Sequence, residues 1–212
     1  MVQKITCAAG FRVSQLLSAG ADPNASMPES ETALLTAART GKAEVVKALL
    51  ARGANVNARD SYRGETALMW AAGKNNVDAI RMLIEFGADL KLRTPNAVRP
   101  SGSEDVGADH RMPEPTSFTA FLFAVRGRHI GAAKALLEAG ANVNDKLSDG
   151  RSALVVACAN GHWELASLLV DRGADPNMAD AGWNAASVDS GTPAQSLFRN
   201  SRTHRTRHDG EH

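Results

Sequence analysis

Few residues in this 212-residue sequence have the type and spacing to do chemistry. His204, His208 and His212 fall at i, i+4 and i+8, which on a helix would set three imidazoles on one face, as metal-binding histidine pairs require. Gly210 and the polar residues around them do not sustain a helix, so a solvated tail without metal is expected. Cys158 stands in the run Ala157-Cys158-Ala159, where a small buried thiol packs like an alanine and is no nucleophile. His162, just before Trp163 in a turn, reads as structural, and His110 and His129 are read as carrying no catalytic or metal-binding role. The patterns G-x-S-x-G, G-x-x-x-x-G-K-[ST], H-E-x-x-H and G-x-G-x-x-G are absent. No enzyme mechanism can be assembled from these pieces, and neither cofactor nor metal is expected. Binding remains: Trp70 and Phe123 are large apolar side chains of the kind that anchor interfaces, though a core position covered by an adjoining element suits them better still.

The composition narrows the elements that could position them. Apolar residues at 43% and charged residues at 22% describe a folded chain, while aromatics at 5%, with one Tyr, argue against a β-sandwich or barrel. With 24 basic and 23 acidic side chains the formal charge is +1, which gives no reason to expect a nucleic acid or an anionic membrane as partner. Cys7 and Cys158 are far apart and form neither a disulfide framework nor a zinc ligand pair. The residues from Met1 to Cys7 break any apolar run before a secretory core could form, and no stretch of about 18 consecutive apolar residues occurs. A cytoplasmic location is the expectation.

Self-similarity then sets the architecture. Gly20-Ala21-Asp22-Pro23-Asn24 recurs as Gly53-Ala54-Asn55-Val56-Asn57, Gly87-Ala88-Asp89-Leu90-Lys91, Gly140-Ala141-Asn142-Val143-Asn144 and Gly173-Ala174-Asp175-Pro176-Asn177. The glycines are 33, 34, 53 and 33 residues apart, the third gap being one period plus an insertion of 20. A second element recurs in phase: Thr32-Ala33-Leu34, Thr66-Ala67-Leu68, Thr119-Ala120-Phe121 and Ser152-Ala153-Leu154. Between them lie amphipathic runs such as Glu44-Val45-Val46-Lys47-Ala48-Leu49-Leu50, with one helical apolar stripe. Each period is therefore helix, turn, helix, loop. Thr32, Thr66, Thr119 and Ser152 are placed to cap helix N-termini, and the recurring glycines to follow the second helices in left-handed conformation. Gly41, Asn75 and Gly161 suit the turn between helices. Arg128 does not, so that turn is expected to be shifted or strained. Only ten residues separate Gly10 from Gly20, against twelve between Gly41 and Gly53, which predicts a short or frayed first helix in the first unit.

These motifs resemble the ankyrin-repeat family, whose 33-residue period opens with T-P-L-H-x-A. The resemblance covers roughly residues 11 to 184 outside the insertion. Alanine replaces the signature proline at Ala33, Ala67, Ala120 and Ala153, and Leu35, Met69, Leu122 and Val155 replace the histidine. The family implies an all-α solenoid of stacked helix-turn-helix units with hairpin-like loops, here four full repeats and irregular ends. The expected divisions are a repeat domain over 1–198, with a partial repeat at 1–24, full repeats at 25–57, 58–91, 117–144 and 145–177, and a degraded cap at 178–198. A Pro/Gly-rich insertion at 93–117 carries Pro95, Pro100, Pro113 and Pro115, half of the eight prolines, and cannot support a helix or central strand. A basic disordered tail fills 199–212.

The resemblance also implies what the chain does: non-catalytic binding of a protein partner through the concave helix face and the loop tips. The family varies the positions after the first-helix alanines to suit a partner, here Arg39, Lys74 and Arg126, and the loop tip adds Arg59, Tyr62 and Arg63. With Trp70 and Phe123 these form the candidate partner-binding set. Its basic members lean toward an acidic partner surface, which would speed association at low salt. A monomer without specific nucleic-acid or membrane binding is expected. The alternative is a scaffold or regulatory segment of a larger protein whose catalytic domain lies elsewhere.

Overall fold

The computed structural model of the chain describes residues 10–26, 31–95 and 117–178. The N-terminal stretch, most of the insertion, the degraded cap and the histidine-bearing tail lie outside the described residues. Those that are described form nine α-helices: α1 (Gly10–Ser18), α2 (Ala33–Thr40), α3 (Ala43–Leu50), α4 (Ala67–Gly73), α5 (Val77–Glu85), α6 (Ala120–Arg126), α7 (Ile130–Glu138), α8 (Ala153–Ala159) and α9 (Trp163–Asp171). Isolated antiparallel bridges, Ser26 with Thr32, Arg59 with Thr66 and Lys146 with Ser152, close the hairpin-like loops. The result is the all-α repeat fold that the 33-residue period predicts.

Two compact units divide the chain, residues 1–142 and 143–212. In the first, α2, α4 and α6 pack side by side as an inner row, α1, α3, α5 and α7 form an outer row, and the pairs α2–α3, α4–α5 and α6–α7 join the two. In the second, α8 packs on α9. Neither row could bury its apolar stripe alone, which is why single repeats do not fold. Small residues at the row contacts, Ala37, Ala38, Ala71, Ala72 and Ala124, are buried and let the helices approach closely, while Leu34, Leu68, Phe121, Ile80 and Leu83 fill the space between rows.

Local chemistry starts and stops these helices as expected. The side-chain oxygens of Thr32, Thr66, Thr119 and Ser152 accept the backbone N–H of Leu35, Met69, Leu122 and Val155 at 3.3–3.4 Å. All four caps are buried, so each protects an amide that water cannot reach. Met69, standing where the signature has histidine, accepts the Thr66 N–H on its Sδ at 3.4 Å and closes a capping box with a thioether.

The first helix of the first unit, expected to be short or frayed, lies outside the described residues, which open with α1, nine residues from Gly10 to Ser18. The Arg128 turn is strained and not shifted, one of the two expected outcomes: Arg128 takes the left-handed position itself, φ 57°, as Asn75 does, while Gly41 and Gly161 hold it at 71° and 70°. Its neighbour Gly127 is needed for a different reason, because a Cβ there would meet the His129 ring at 2.6 Å. At the edges of the insertion Thr94 and Phe118 exchange two hydrogen bonds, Thr94 N–H to the Phe118 carbonyl at 3.0 Å and Phe118 N–H to Thr94 Oγ1 at 2.9 Å. Thr94 is buried and Arg93 donates to the Ser117 carbonyl, so both belong to the packed repeat.

Side chains also stitch one repeat to the next. Asn24 Oδ1 accepts the Asn55 N–H, Asn57 Oδ1 the Asp89 N–H and, in the second unit, Asn144 Oδ1 the Asp175 N–H, all at 2.8–3.0 Å. Lys91 occupies the same place in the third segment, and an ammonium has no acceptor to continue this ladder. At the opposite edge Asn75 Oδ1 accepts the Ala132 N–H in the first turn of α7, and His129 Nε2 meets the Gly73 carbonyl at the end of α4 at 3.1 Å.

Candidate functional site

The inner row of the first unit presents equivalent positions to solvent: 36, 70 and 123 one turn into each helix, and 39, 73 and 126 a turn later. In the first pair, Glu31 Oε1 accepts the Thr36 hydroxyl at 2.8 Å and pairs with Arg39 at 3.0 Å. The Arg39 guanidinium then lies over Trp70 of the next pair, 5.5 Å from the ring centroid. Trp70 is half-buried and its Nε1–H donates to Asp60 Oδ2 at 3.4 Å. The ring is therefore neither core nor free anchor: one edge is tied and one face carries a cation. In the third pair Phe123, also half-buried, packs on Phe118 with centroids 5.1 Å apart, and Arg126 lies 5.3 Å over Phe118. Arg39, Lys74 and Arg126 are exposed.

A second cluster forms the hairpin tip over residues 60–65. The Asp60 carboxylate accepts the backbone N–H groups of Tyr62 at 3.0 Å, Arg63 at 2.6 Å and Glu65 at 3.1 Å. Three charge-assisted bonds on one carboxylate hold the tip rigid, and they leave Tyr62 80% exposed with the Arg63 guanidinium 5.6 Å over its ring. Arg59 is used differently. Its Nη1 donates to the carbonyls of Gly64 and Arg93, both at 2.8 Å, so it clips the tip to the following repeat. Pro95 packs beside it, close enough that a Cβ on Gly64 would meet its Cδ at 2.5 Å.

The structure thus gathers Arg39 with Trp70 and Phe123 with Arg126 on the inner row, Tyr62 with Arg63 at the tip, and leaves Lys74 at the exposed end of α4. Sequence reasoning missed Phe118 and the acids Glu31 and Glu65. The signal was present as a repeat column, since the residue before each helix cap reads Glu31, Glu65, Phe118 and Arg151. Glu65 is buried, and desolvation with the nearby Asp60 charge raises its carboxyl above the usual range, Arg63 at 3.9 Å opposing this only in part. Burial likewise raises the Cys158 thiol and keeps it unreactive. Among the described residues no group of three or more His, Cys, Asp or Glu side chains could hold a metal ion, and no helix is long and apolar enough to cross a membrane.

Comparison with known proteins points the same way. A family model for ankyrin repeats, in three copies, matches residues 5–94 and 103–180. The chain is 30% identical over 175 residues to the ankyrin repeat and KH domain-containing protein mask-1 of Caenorhabditis elegans, a match spanning 78% of this chain and 7% of that protein. It is 42% identical over 62 residues to ankyrin repeat domain-containing protein 63 of Homo sapiens, 29% of this chain and 16% of the relative. A third match, 42% over 71 residues, is to the ankyrin repeat and LEM domain-containing protein 1 homolog of C. elegans, of which 10% is covered. The chain corresponds to a small part of each.

Proposed function

The chain belongs to the ankyrin-repeat family, whose repeats generally serve as protein–protein interaction modules, and from that premise we propose that it is a non-catalytic module binding a protein partner. The contact surface in this reading is the solvent face of α2, α4 and α6 together with the tip at residues 60–65. What supports it above all is the way cations sit on aromatic rings there, Arg39 on Trp70, Arg63 on Tyr62 and Arg126 on Phe118. Arginine and aromatic side chains dominate interface energetics, and those already held in place lose little entropy on docking. The exposed cations Arg39, Arg63, Lys74 and Arg126 favour a partner that is acidic over most of its surface. Arg59 contributes by holding the tip rather than by touching the partner. The module acts as a cytoplasmic monomer and needs neither nucleic acid nor membrane.

The test is capture from a native extract followed by affinity measurement on the retained protein. The triple variant Arg39→Ala, Tyr62→Ala, Arg126→Ala removes three exposed side chains and keeps the buried core. At least a tenfold loss of affinity, with far-UV circular dichroism unchanged, is expected. Unchanged affinity in a folded triple variant refutes the surface assignment.

A further inference from the structure

We propose that Glu65 and Gly73 form a subsite on this face that receives one arginine side chain from the protein partner. This deepens the binding reading and rests on it.

The argument comes from comparing one column across three helix pairs. In the first pair Glu31 is satisfied internally by the Thr36 hydroxyl and by Arg39. In the second pair the same three places hold Glu65, Trp70 and Gly73. Trp70 gives its one side-chain donor to Asp60, and Gly73 has none to give. In the third pair the acid itself is replaced by Phe118, with Arg126 over its ring. Of these three pairs the middle one keeps the carboxylate and lacks the base.

Glu65 bears the consequence. Its side chain is 6% exposed, and among the described residues no hydrogen-bond donor reaches its carboxylate. Its ion-pair partner, Arg63, stands 3.9 Å away, is 64% exposed and rests on Tyr62, so water screens the pair. A buried carboxylate without donors is costly and stays so until a partner supplies them. A Cβ built on Gly73 has only Phe123 Cδ1 within 4 Å, at an ordinary contact distance of 3.9 Å, so a side chain can start there without a clash. An arginine side chain rooted at this register spans the distance to the acid, because Arg39 does so in the preceding pair. Trp70, one face of which Arg39 already covers, lies one turn before Gly73, and a planar guanidinium's fork fits a carboxylate better than an ammonium does.

The test uses the full chain and the 13C titration of the Glu65 carboxyl. The probe is N-acetyl-arginine amide, with N-acetyl-lysine amide and N-acetyl-glutamate amide as controls. The arginine probe should saturably lower the Glu65 titration midpoint, the lysine probe should do so less, and the glutamate probe should have no effect. Gly73→Arg should lower the midpoint without probe and abolish the probe response. A midpoint indifferent to the arginine probe or to Gly73→Arg overturns the proposal, and an equal response to lysine overturns the arginine assignment. Glu65→Gln separates this idea from the broader one. If a captured partner binds that variant with unchanged affinity, the subsite fails and the protein-binding reading stands. If the probe responds as expected but the Arg39, Tyr62, Arg126 triple variant keeps full partner affinity, the surface assignment fails and the subsite stands.

Discussion

Asn75 and Arg128 occupy the same turn position in successive repeats with the same φ of 57°, yet replacing each by glycine should move stability in opposite directions. A left-handed backbone costs an ordinary L-residue about 1–2 kcal/mol. Glycine removes that strain but returns about 0.5–1 kcal/mol through its greater freedom in the unfolded chain. The Arg128 side chain is exposed and makes no hydrogen bond or ion pair among the described residues, so nothing else is lost. Arg128→Gly should therefore stabilise the protein by about 0.5–1 kcal/mol. Asparagine pays less for this conformation, and Asn75 Oδ1 accepts the Ala132 N–H at 3.0 Å at the start of α7. Losing that cap costs about 1 kcal/mol and the glycine entropy adds to it, so Asn75→Gly should destabilise by about 1–2 kcal/mol. The two variants should differ by roughly 2 kcal/mol, which is about 1 M in urea midpoint for a slope near 2 kcal/mol/M. Equilibrium urea unfolding with slopes compared reads this directly. If Arg128→Gly lowers the midpoint, or both variants shift it the same way, the assignment of strain to Arg128 and of capping to Asn75 is wrong.

Other consequences follow from single contacts. Thr66→Ala exposes no new surface but orphans the buried Met69 amide, and should cost about 1–2 kcal/mol by thermal or urea unfolding, with Thr66→Ser close to wild type. Gly127→Ala forces the His129 ring off the Gly73 carbonyl, and a loss of about 1–2 kcal/mol is expected; an unchanged melting temperature would show that the ring moves freely. Glu65, raised by burial and by Asp60, binds its proton more tightly folded than unfolded. Stability should therefore fall as pH rises above the ordinary glutamate value of 4.5 and level off once the folded carboxyl has ionised. Glu65→Gln should flatten that slope and be the more stable form at neutral pH, measurable as urea midpoints from pH 4 to 8.

Several features of the fold were legible because their causes lie within a few residues of each other along the chain. The 33-residue period, the hydroxyl before each inner helix and the glycines after each outer one name the repeat and its boundaries, since capping and left-handed turns are local demands. The candidate surface was legible in outline: Arg39, Trp70, Tyr62, Phe123 and Arg126 do line the inner row and tip. Their pairing was not. That Arg39 covers Trp70 of the next repeat, or that Arg59 spends its guanidinium on Gly64 and Arg93, depends on where a neighbouring repeat stands. Asn75 and Arg128 make the same point: both were marked by the turn they must adopt, but only the α7 amide above Asn75 gives one of them a second task.

By itself, then, the order of amino acids determined the secondary structure, the periodicity and the family, because helix caps, turn conformations and apolar stripes are written within one repeat. Tertiary structure decided which polar groups find partners. Bonds such as Asn24 to Asn55 and Asn75 to Ala132 join residues 31 and 57 positions apart. Such contacts exist only once hydrophobic packing has set one helix pair against the next, and that placement is a property of the whole stack and not of any segment in it.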